Sequence, residues 1–118
     1  MTKSSSLLST LFVVCDQTIV SKEGKLSLIG LFSQTFVARL PTTFPQFMIV
    51  AIVTGKPNQA YSLSLKLTDP TGKIIHHRSL EIKLGHNGQT NIITPVHQLP
   101  LTLTGTHTLT LTHHKQTL

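Results

Sequence analysis

The chain lacks most of what a catalytic or ligand-capturing protein carries in its sequence. It has one cysteine, Cys15, in 118 residues, so no internal disulfide can form. That removes the disulfide-stapled scaffolds and fits a reducing compartment. Its acidic residues number four, Asp16, Glu23, Asp69 and Glu81, and Glu23 and Asp69 fall in turn sequences. No two carboxylates are spaced on a strand for general acid and base work. There is no GxSxG elbow and no GxGxxG or GxxxxGK[ST] phosphate loop. CxxC, HxH and HExxH are missing, as are the Asp-rich loops of a calcium-binding sandwich. Tryptophan is absent, and most of the five phenylalanines lie in apolar runs, which leaves no aromatic platform for stacking bases. No apolar run approaches the roughly 20 residues of a membrane span.

What remains is a β-rich palette of Thr, Ser and Leu with sparse charge, 12% of residues. Turn sequences punctuate it at short intervals. They are Lys22-Glu23-Gly24-Lys25, Thr54-Gly55-Lys56-Pro57-Asn58, Asp69-Pro70-Thr71-Gly72, Gly85-His86-Asn87-Gly88 and Thr104-Gly105-Thr106. In the third, Asp opens the turn, Pro presets φ and Gly closes it. Between them, Leu63, Leu65 and Leu67 alternate with Ser62, Ser64, Lys66 and Thr68. Leu80, Ile82 and Leu84 alternate with Glu81 and Lys83, and Leu99, Leu101 and Leu103 with Thr102 and Thr104. Leu109 and Leu111 alternate with Thr108, Thr110 and Thr112. Period two means strands with one dry and one wet face.

Two runs are apolar at every position, Leu11 to Val14 and Phe47 to Val53, and read as central strands with more cover. Leu26 and Leu28 differ in parity from Leu31, so a bulge is expected at or near Gly30. Phe36, Ala38 and Leu40 are expected to carry that strand on, with Pro41 and Pro45 bracketing a crossover loop. The count is seven to eight strands and no helix. The fold expected is an all-β, antiparallel two-sheet β-sandwich, immunoglobulin-like or C2-like, forming a single domain over 1–118 with a disordered tail over 1–6. Lys3 and the Leu7 to Val14 run are read as the start of a soluble domain, not as a signal peptide or lipid anchor, since Ser9 and Thr10 interrupt the run and Val14 precedes Cys15.

The net charge is +6, but Lys3, Lys22, Lys25, Arg39, Lys56, Lys66, Lys73, Arg78, Lys83 and Lys115 form no run. Seven histidines include the adjacent pairs His76-His77 and His113-His114, whose members point to opposite faces of a regular strand. His107 and His113 share a face at about 20 Å, too far for one ion. Solvated histidines and a buried, inert Cys15 are therefore expected.

The first half also carries a pattern. Phe12-Val13-Val14-Cys15-Asp16 precedes Gly24-Lys25-Leu26-Ser27-Leu28-Ile29-Gly30-Leu31-Phe32, then Leu40-Pro41, the run Phe47 to Val53, and Leu67-Thr68-Asp69-Pro70-Thr71-Gly72-Lys73. Over residues 11 to 75 this resembles an uncharacterised family of small bacterial β-sandwich proteins marked by "CD", "GKLSLIG" and "DPxG". The resemblance implies a cytoplasmic β-sandwich and supplies no activity. Family members finish with a Gly-x-Tyr-x-Phe strand, a turn and a further strand; Thr104-Gly105-Thr106-His107 lacks the aromatics, and a missing last strand would leave an open edge.

The expectation for function is a non-enzymatic protein-interaction or structural module with no catalytic, cofactor or metal residues. Its partner would be a protein or a second copy, by edge-strand pairing at residues 107 to 112. The rival reading is a binder of an anionic ligand, nucleotide or nucleic acid, through a basic surface.

Overall fold

In the computed structural model, which describes residues 7–118, the chain forms eight strands in two four-stranded antiparallel sheets. They are β1 (Leu8–Val20), β2 (Leu26–Phe32), β3 (Thr42–Thr54), β4 (Ala60–Thr68), β5 (Ile74–Lys83), β6 (Gln89–Leu101), β7 (Thr108–His113) and β8 (Gln116–Thr117). One sheet runs β2-β1-β3-β6 and the other β5-β4-β7-β8, with crossings between sheets after β3, β5 and β6. The two-sheet sandwich expected from the alternating runs is thus the fold. The expected tail over 1–6 lies outside the described residues.

The core is built as the period of two dictates. Phe47, Ile49, Ala51 and Val53 of β3 meet Leu63, Leu65 and Leu67 of β4, with Ile92, Val96, Leu99 and Leu111 filling in. Near Pro45 and Gln98, β3 and β6 change parity together. Buried positions pass from odd to even in β3, as Phe47 gives way to Phe44, and from even to odd in β6, as Val96 gives way to Leu99. The pairing register is unbroken on either side, and Gln98 takes a φ of 52°.

One end of the sandwich is closed and the other gapes. At the closed end the loops after β3 and β5 are stitched together. Gly55 N–H donates to Gly88 C=O at 2.8 Å, Asn58 N–H to Gly85 C=O at 3.1 Å, and Leu84 N–H to Gln59 C=O at 3.0 Å. Leu7, Tyr61 and Leu84 pack beneath them. At the other end Asp69 fixes its turn by accepting at Oδ1 from Thr71 N–H (2.9 Å), Thr71 Oγ1–H (2.6 Å) and Lys73 N–H (3.0 Å). Those bonds hold its carboxyl below the ordinary carboxylate range.

Several local expectations are corrected. The β1–β2 register is continuous through Gly30, so there is no bulge there. The glycine is required for its φ of 73°, and Leu31 simply faces the other side of the sheet. Strand β2 stops at Phe32, and Phe36 to Leu40 form no strand; their parity imitated a strand that has no neighbour to pair with. Pro45 lies inside β3 rather than in a loop. Leu103 and His107 fall outside β6 and β7.

Candidate interaction surface

The inner strands of the first sheet, β1 and β3, are the two runs that are apolar throughout. Their even and odd positions cannot both face the second sheet. With Phe47, Ile49, Ala51 and Val53 turned to the core, Met48, Val50 and Ile52 face outward. The register then lays out the outer face in rows. Leu11 pairs Ile52, which pairs Asn91. Val13 pairs Val50, which pairs Ile93. Leu31 pairs Cys15, Cys15 pairs Met48, and Met48 pairs Pro95. Ile29 pairs Gln17, and Gln46 pairs His97.

None of these positions carries a charge. Cys15 and Val50, flanked in register by these apolar neighbours, expose nothing, yet neither belongs to the inter-sheet core. Toward the β2 side the face opens, with Leu31 59%, Ile19 53% and Ile29 44% exposed. The exposed apolar side chains of this face thus gather on β1 and β2.

The second sheet has the opposite outer face. Ser62 pairs Glu81, Ser64 pairs Ser79 and Thr112, Lys66 pairs His77 and Thr110, and Thr68 pairs Thr108. Ser62 Oγ donates to Glu81 Oε2 at 2.8 Å, and Ser64 Oγ is hydrogen-bonded to His77 Nε2 at 2.9 Å. One outer face is therefore polar and hydrogen-bonded, the other largely apolar and uncharged along these rows.

The remaining sequence candidates do not converge. No three His, Cys, Asp or Glu side chains are grouped to hold a metal among the described residues. Burial pushes the Cys15 thiol up, and its Sγ–H donates to Gln17 C=O at 3.4 Å. Burial, with Arg78 and His77 adding to it, pulls His76 below the usual histidine value, and its Nε2 has no partner. Burial also lowers His113, whose ring stands edge-on to Tyr61 and 4.1 Å from that of His114. His107 Nδ1 lies 3.1 Å from Gly105 C=O. Asp16 faces Gly30, and Glu81 is held by Ser62.

At the open end a cleft of about 790 Å³ lies between the sheets. Phe32 and Phe44 stack along one wall with Phe47 edge-on to both, and Leu67, Leu99 and Leu109 line the rest, under a rim of Ser33, Thr35, Thr104 and His107.

Residues 10–117, nearly the whole described chain, match the sequence pattern of a family of unknown function, DUF6941. The chain belongs to that family. No curated protein matches the chain. The DUF6941 match therefore assigns no activity, and the geometry must carry the functional reading. The apolar runs in β1 and β3 are the central strands that the sequence pointed to. Among the described residues, one face of each packs against the second sheet.

The expected open edge at β7 is partly closed. Strand β8 pairs Thr112 with Thr117 and His113 with Gln116, and Leu118 N–H donates to Leu111 C=O at 2.8 Å.

Proposed function

We propose that this DUF6941 chain is a non-enzymatic protein-interaction module, working in the cytoplasm, whose contact surface is the outer face of the β2-β1-β3-β6 sheet. The observation that carries this reading is the contrast between the two outer faces. A single chain that places Ser, Thr, Lys and Glu outward on one sheet has no physical reason to place Leu, Val, Met and Ile outward on the other, unless that side is covered in use. The occupant that suits such a face is another protein's apolar surface, since interface cores are depleted in charge.

The rival, an anionic ligand on a basic surface, has less support. Among the described residues the cations are dispersed. Lys22 and Lys25 sit in the β1–β2 turn, Lys56 in the loop after β3, Lys66 on β4, Arg78 and Lys83 on β5, and Lys115 in the β7–β8 turn. A polyanion titration is expected to give weak binding that vanishes near physiological salt.

The reading is tested with a photo-reactive phenylalanine analogue placed at Leu31 in the native host, and at Thr110 as the control on the polar face. Protein adducts from position 31 and none from 110 are expected. Equal adducts from both positions, or none from 31, would overturn it.

A further inference from the structure

We propose that the occupant of this face is a second copy of the chain, packed face to face across a two-fold axis in the plane between the two sheets. The proposal rests on the reading above and adds the partner. Three features point to it.

The first is area. Strands β1, β3 and β6 are 13 residues long. Their outward parity holds over residues 46–54 and 89–97, so four strands about 4.8 Å apart, rising about 3.3 Å per residue, frame a face on the order of 20 by 30 Å. That is roughly 600 Å² per copy, at the lower end of a standard interface.

The second is charge. Two chains of net charge +6 repel unless the touching surface is neutral. The face meets that condition, because the register rows from Leu11, Ile52 and Asn91 to Gln46 and His97 hold no Lys, Arg, Asp or Glu. No ion has to be desolvated without a partner when the face meets its own copy.

The third is that the edges are guarded while the face is not. Strand β6 carries Pro95 and Pro100, β2 has only 7 residues, β5 presents Arg78, Glu81 and Lys83, and β7 is capped by β8. These are the devices that prevent strand-to-strand addition. Association through the sheet face remains, and an isologous pairing covers both copies at once.

The test is the mass of the chain in solution at about 10 μM, by light scattering on a sizing column, for the wild type, Leu31→Lys, Ile29→Gln and Thr110→Lys. Leu31 and Ile29 are exposed, so their replacement leaves the inter-sheet core untouched. The wild type and Thr110→Lys are expected at twice 12.9 kDa. Leu31→Lys is expected to weaken the dimer at least about tenfold, because a cation is driven into an apolar contact. Ile29→Gln should weaken it less. A monomeric wild type would overturn the proposal, as would a dimer unchanged by both face variants. The Leu31 photo-adduct separates the two levels. An adduct of doubled chain mass supports the second copy. An adduct with a different protein would overturn the second copy while leaving the interaction reading standing.

Discussion

Gly30 sits opposite Asp16 in the β1–β2 ladder with φ 73°, a conformation that side chains with a Cβ rarely take. A Cβ there would overlap the Asp16 carboxylate, lying 2.8 Å from its Cγ. Gly30→Val is therefore expected to cost about 1–3 kcal/mol, read as a lower melting temperature, and an unchanged melt would contradict this account of Gly30. Asp69, His76 and His113 set the response to pH. Asp69 titrates lower in the folded chain than in the unfolded one, so its contribution is complete above the unfolded value and is lost as pH falls through the folded value. His76, also lowered, keeps the fold stable while neutral, and stability falls as pH drops below about 6.5. The melting temperature should then decline in two stages on acidification. His76→Leu should shrink the first, leaving the share of His113, and, by deleting a ring nitrogen without a partner, stabilise by about 0.5–1 kcal/mol. A first stage undiminished by the substitution would assign it wholly to another histidine. Cys15 is fully buried with a raised pKa, so alkylation of the native chain is expected to wait for unfolding. Rapid labelling in native buffer would contradict its placement.

At the scale of elements, legibility followed pairing. The alternation Leu63, Leu65, Leu67 and Leu109, Leu111 was read correctly because each strand has one core face and the period of two survives in the sequence. The same period misled at Phe36, Ala38 and Leu40, where alternation exists without a neighbouring strand to bond. Gly30 and Leu31 were harder. A parity change can come from a bulge or from an outward apolar residue, and only the register separates the two. The candidate face was half legible. The runs in β1 and β3 marked central strands with more cover, but a single sequence does not say which of their two faces meets the second sheet. The parity change shared by Pro45 and Gln98 was invisible, since it needs both strands aligned to be seen. Strand β8 is too short to show in any pattern. Its bond from Leu118 N–H to Leu111 C=O makes β7 a poor partner for an added strand. Thr110→Lys is thus expected to leave the oligomeric state unchanged; a shift in mass on that substitution would restore the edge as the contact.

For the whole molecule, the central claim is that one broad face is dry in use and the other wet. Apart from the apolar cleft at the open end, the closed end, the guarded edges and the hydrogen-bonded outer face of the second sheet leave the outer face of the β2-β1-β3-β6 sheet as the broad apolar surface of the described chain. The most direct measurement is methyl relaxation by a soluble paramagnetic probe, applied to the wild type and to Leu31→Lys at the same concentration. The account predicts that the methyls of Val13, Ile29, Leu31 and Ile93 are shielded in the wild type while those of Thr108 and Thr110 relax strongly. It also predicts that Val13, Ile29 and Ile93 become accessible in the variant. Methyls of Val13, Ile29, Leu31 and Ile93 relaxing as strongly as the threonines in the wild type would contradict it.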